Sequence, residues 1–114
     1  MKRYRVVITL EAEHDMLEIY KYVKKNDSPG HAANLLERLE TVCLSLDKLP
    51  LRGHIPPELE DFGITEFLEI HHKPYRVMYQ VGKKTVYIHG VFDGRRDMQK
   101  LLQERLLRES WNMY

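Results

Sequence analysis

Arg76 sits inside an alternating run, Pro74-Tyr75-Arg76-Val77-Met78-Tyr79, and Arg95 and Arg96 follow the break Asp93-Gly94. Guanidinium forks grip phosphates and carboxylates through two parallel hydrogen bonds. If the two runs are neighbouring strands, Arg76 points to the face opposite Tyr75, Val77 and Tyr79. Should that latter face pack on helices, Arg76 lies on the open side of the sheet, with Arg95 or Arg96 reaching it from the rim. His71 or His89 and tyrosines complete a concave surface able to hold RNA or an acidic peptide. The competing reading pairs Arg76 with Glu66 or Glu69 on the adjacent strand and Arg96 with Asp97, as surface pairs worth little.

Other chemical devices are missing from the sequence. No P-loop, GxGxxG or G-x-S-x-G occurs. The six histidines show no ligand spacing. His71 and His72 are adjacent, and neighbours on a strand face opposite ways, so the pair cannot easily share an ion. No metal and no cofactor are expected. The single cysteine, Cys43, excludes an intrachain disulfide framework and reads as core packing in a reducing compartment.

The elements that must position these residues follow from pattern. Tyr4 to Leu10 is short and β-branched, a strand. Residues 11–25 repeat apolar positions at helical spacing, with acids in the first turn and lysines in the last, as the helix dipole favours; Thr9 can cap them. Ser28-Pro29 opens a second helix, whose stripe Ala32, Leu35, Leu36, Leu39, Val42, Cys43, Leu46, Leu49 runs to Pro50. The two make an antiparallel hairpin lying on a sheet. Residues 51–63, with two Gly and two Pro, read as a loop. Thr65 to His71, Pro74 to Val81 and Lys84 to Val91 (interrupted by Gly90) read as a three-stranded antiparallel meander. Residues 95–109 read as a helix with Met98, Leu101, Leu102 and Leu106 on one side. The fold class is α+β: an N-terminal strand, an α-hairpin, a meander and a C-terminal helix.

The totals agree. The 114 residues suit one domain, and 43% hydrophobic with 31% charged residues suits a folded globule. No apolar run is long enough to span a membrane and the N-terminus lacks a signal-peptide pattern, so the cytoplasm is expected. Net charge is +1, but acids collect in residues 58–69 and bases collect later. A partly basic C-terminal half suits nucleic acid or an acidic protein segment; a solvated mixed surface is the plainer explanation.

Several stretches resemble the RelE/ParE toxin superfamily, nearer its ParE (plasmid-stabilisation) branch. They are Tyr4-Arg5-Val6-Val7-Ile8 followed by Glu11-Ala12-Glu13; Ile19-Tyr20-x-Tyr22; Ala32-Ala33 with the leucine stripe; Leu49-Pro50-x-Arg52-Gly53; the Pro74–Tyr79 run; and Val91-Phe92-Asp93-Gly94-Arg95-Arg96-Asp97. The likeness covers residues 4–98. It implies a toxin of a type II toxin–antitoxin system, wrapped by an antitoxin segment as helix and strand. RelE-like members cut mRNA on the ribosome, and ParE-like members block DNA gyrase. Of the residues a RelE-like nuclease uses, Arg76 and Arg96 match its two arginines. Its two lysine positions fall near Phe67 and Glu69 and its tyrosine near Leu102, so the acid–base groups are lost; His71 is the substitute if a nuclease remains. The resemblance therefore implies target or nucleic-acid contacts at Arg76, Tyr79, Arg95 and Arg96, and antitoxin contacts at Met98, Leu101, Leu102 and Leu106. DNA gyrase is the expected target, with the ribosome and mRNA, or an inactive member that only binds its antitoxin, as the alternatives.

Overall fold

The computed structural model describes residues 3–106. Strand β1 (Arg5–Ile8) leads into helix α1 (Leu10–Asn26), and helix α2 (Pro29–Leu44) returns antiparallel to it. Both starts follow from local chemistry. The Thr9 hydroxyl accepts from the Ala12 amide at 3.2 Å and donates to the Ile88 carbonyl at 2.8 Å, so it caps α1 and ties the cap to the sheet. Ser28 Oγ accepts from the His31 amide at 3.1 Å, and Pro29 takes the first turn. Helix α2 stops earlier than its apolar stripe suggests: a 3-10 turn, Ser45–Asp47, replaces its last turn and leaves Leu49 exposed.

Strands β2 (Leu68–His72), β3 (Tyr75–Val81) and β4 (Thr85–Asp93) form the expected meander. The sheet order is β1-β4-β3-β2, with β1 parallel to β4. The strand limits shift by one to three residues, with β4 running on to Asp93, and two departures have a visible cause. Strand β2 begins at Leu68, because Phe67 leaves the strand line to fill an apolar cluster under the sheet. Gly90 does not interrupt β4: the Phe92 ring lies over it, where a Cβ would collide. The register shifts between Met78 and Tyr79, so that His89 is the extra residue of a bulge.

Two cores result, one on each face. Leu39, Cys43 and Leu46 of the hairpin side meet Val77, Tyr79, Val86 and Ile88. On the other face Met78 and Phe92 are covered by Leu59, Phe67, Met98, Leu102 and Leu106. Leu59 comes from a short helix, α3 (Pro57–Glu60), inside the stretch read as loop. The last three come from helix α4 (Met98–Leu106). It starts after Arg95 and Arg96 because Asp97 caps it, Oδ1 accepting from the Lys100 amide at 3.2 Å. Residues 107–109 of the expected helix lie outside the described residues. Among the described residues no helix is long and apolar enough to cross a membrane.

Candidate functional site

The face that carries Arg76 is closed, not open. Helices α3 and α4 cover its apolar part, and carboxylates take the guanidinium. Arg76 Nη1 and Nη2 donate to both oxygens of Glu58 at 2.9 and 2.7 Å, while Nε and Nη2 donate to Glu69 at 2.6 and 3.0 Å. Glu69 was one of the two strand partners expected for Arg76; Glu58 comes from α3. The two Glu58 hydrogen bonds lead in holding Arg76 even more firmly charged than usual, with Glu69 adding to them against burial. The same bonds pull the Glu58 carboxyl below its ordinary value.

Glu69 is 1% exposed and is the hub of this cluster. Besides Arg76 it meets His54 Nε2 at 3.0 Å and His71 Nε2 at 3.2 Å. His54 is placed by backbone: its amide donates to the Glu69 carbonyl at 3.1 Å, and the Glu69 amide donates back at 2.8 Å. Gly53 makes that approach possible, since a Cβ there would lie 2.5 Å from both the Glu69 carbonyl oxygen and Tyr79 Oη. No histidine cluster was expected, because adjacent strand residues diverge. The structure instead brings His71 to a histidine from a distant loop. The signal that could have found it is Arg52-Gly53-His54, a glycine beside a histidine ahead of the Pro-Pro turn.

Tyr79, expected among the target contacts, does not reach the surface. It is fully buried on the hairpin side, its hydroxyl accepts from the Gly53 amide at 3.0 Å, and burial pushes its pKa up. Met98, Leu102 and Leu106, expected to contact an antitoxin, are 5%, 0% and 2% exposed, because α4 folds back on the chain's own second core. Leu101 alone of that set is partly exposed. Arg105, on the same helix, clasps α4 to α1. Its Nη1 and Nη2 donate to Asp15 at 2.9 and 3.0 Å, and its guanidinium lies 5.0 Å from the centre of the Phe92 ring.

Arg95 and Arg96 are exposed at the sheet rim. Arg95 chelates its neighbour Asp93 at 2.9 and 2.7 Å, which holds the Asp93 carboxyl below its ordinary value. Arg96 lines a groove of about 520 Å³ between α1 and α4, together with Tyr22, Tyr75, Asp93 and Leu101. Arg76 is absent from its walls, so the two arginines expected to share a phosphate serve different places. A second groove, of about 530 Å³, runs beside edge strand β1 over Ile8, Met16, Leu17 and Leu36, with Glu13 and Glu40 at its rim.

Solved structures share this architecture. The chromosomal ParDE toxin–antitoxin system of P. aeruginosa includes a chain that superposes with a TM-score of 0.68 at 15% identity, over 80% of this chain and 96% of that one. A chain of the toxin–antitoxin complex RelBE2 from Mycobacterium tuberculosis gives 0.60 at 20% identity, covering 82% and 93%. An arginine double mutant of E. coli toxin RelE in the free state gives 0.54 at 15% identity, covering 94% and 98%. No curated protein sequence matches. These likenesses define a RelE/ParE-like fold. The family model of the ParE toxin of type II toxin–antitoxin systems, parDE, matches residues 6–98, and the chain belongs to that family.

Proposed function

We propose that this toxin acts in the cytoplasm by binding a protein target, DNA gyrase by family resemblance, and that a cognate antitoxin neutralises it. The observation that carries this reading is the capture of Arg76 by Glu58 and Glu69. Cleavage of RNA at a 2′-hydroxyl needs a base for that proton, an acid for the leaving 5′-oxygen and a cation on the phosphate. Arg76 has Nε, Nη1 and Nη2 committed to carboxylates, and a phosphate would have to displace them. Arg95 and Arg96 at the rim are exposed cations open to a target surface. Purified toxin should inhibit supercoiling by gyrase, and an equimolar amount of antitoxin should restore it. Full supercoiling at excess toxin, in a strain the toxin still arrests, would redirect the reading to another target.

One observation favours the nuclease alternative: His54 and His71 are both exposed and their rings meet edge to face at 5.3 Å. Two imidazoles at that spacing suit general acid–base work. They face the Glu69 carboxylate rather than an open cation, which counts against phosphate binding there.

The antitoxin contact expected on α4 narrows to Leu101 in the α1–α4 groove. The apolar groove beside β1 adds a second surface, next to a strand edge able to accept another strand. Co-expression with the antitoxin should give a complex that survives gel filtration, and Leu17→Lys or Leu101→Lys should weaken it. Two separate peaks from the unmodified pair would remove the antitoxin from this account.

A further inference from the structure

We propose that His54, Glu69 and His71 form a binding site for a divalent transition-metal ion. The three donor atoms, one from each residue, lie within 4.8 Å of one another. The carboxylate oxygens of Glu69 stand 3.0 Å from His54 Nε2 and 3.2 Å from His71 Nε2. With metal–ligand bonds of about 2.0–2.2 Å, adjacent ligands of one ion sit roughly 3.0–3.5 Å apart. The nitrogen–oxygen separations are already of that size, so small side-chain movements admit a cation between them.

The backbone holds the donors ready. His54 and Glu69 are joined by a reciprocal pair of main-chain hydrogen bonds. His71 lies two residues beyond Glu69 on β2 and so shares its face. Arg76 donates to both Glu69 oxygens, which fixes the carboxylate plane as outer partners of a metal ligand do. Charge also favours a cation. Glu58 and Glu69 against Arg76 leave one negative charge beside the two imidazoles.

The donor set decides the class of ion. Two imidazole nitrogens and one carboxylate oxygen suit zinc, iron(II), cobalt or nickel, and are a poor match for calcium or magnesium. The histidine side chains are 58% and 42% exposed, so the ion would keep water in its remaining positions. Bound there, it fastens the loop before α3 to strand β2.

The test uses the full chain, free of any polyhistidine tag and stripped with a chelator. Zinc is titrated by calorimetry, and cobalt(II) is followed by its visible absorption. The expected result is one zinc per chain, a cobalt spectrum of a nitrogen- and oxygen-ligated ion, and a melting temperature raised by zinc. His54→Ala and His71→Ala should each weaken zinc more than about tenfold and remove the thermal shift. His31→Ala, far along the chain in α2, should change neither. Because both ligand histidines are exposed, their variants are expected to fold, and circular dichroism checks that they do. Equal zinc binding by wild type and the double variant would overturn the proposal. So would the lack of both heat and thermal shift at excess zinc, which would leave the three side chains a hydrogen-bonded clip only.

Discussion

On the hairpin side of the sheet, Leu39, Cys43 and Leu46 interlock with Val77, Tyr79 and Ile88 in a continuous apolar layer. On the other side a smaller apolar cluster under α3 and α4 shares the sheet with a charged one, in which Glu69 is buried against Arg76 and Glu58 holds the far side of the same guanidinium. Shape complementarity holds the first face. The second depends on charges that compensate one another away from water, so the loss of a single partner should hurt it more than the loss of an apolar contact.

That difference is sharpest at Arg76. Arg76→Met keeps much of the volume but leaves the Glu69 carboxylate buried without its cation, and should cost about 3–5 kcal/mol in a urea melt. A loss under ~1 kcal/mol would mean that water or His54 and His71 replace the guanidinium at no cost. On the apolar face Leu39→Ala should cost about 2–5 kcal/mol, as cavities in packed cores do. A smaller loss than at any surface site would remove Leu39 from the core.

His89 makes the stability of the fold depend on pH. Burial beneath Phe67 and against Gln80 lowers its pKa from 6.5 to about 4, with Glu11 opposing the shift and Arg105 adding to it. Between those values the unfolded chain binds a proton that the folded chain refuses. Stability is therefore complete above pH 6.5 and falls as pH falls toward 4, by about 3 kcal/mol from this group. Wild type should lose that much more than His89→Gln across the window; equal acid slopes would show that His89 protonates freely in the fold. The smallest effect is expected at the α1 cap, where Thr9→Ala should cost about 0.5–2 kcal/mol. No change in the thermal melt would mean that its bond to Ile88 contributes nothing.

The hairpin face was legible in the sequence because its information is local. The stripe from Leu35 to Leu46 and the caps Thr9 and Ser28 each state a helix within a few residues. So was the meander, from the alternation around Arg76 and the break at Gly82. The second face was not, because its parts are distant. Glu58 and His54 reach the sheet from a stretch whose Gly and Pro content reads as loop; Gly53 beside His54 is the one local hint, and nothing nearby in the chain marks Glu58 as a partner of Arg76. Met98, Leu102 and Leu106 were visible as one side of a helix. Periodicity alone does not say whether such a side meets the chain's own sheet or a partner. Arg76 and Arg96 were found as residues, yet their convergence rested on an open face, and Phe67 and Leu59 close it.

A toxin whose Arg76 is held by its own carboxylates is expected to leave RNA uncut. Mapping transcript 5′-ends across the cell after induction tests it most directly. Intact messages beside arrested replication are the expected result. Codon-phased cuts in translated messages, abolished by Arg96→Ala, would contradict it.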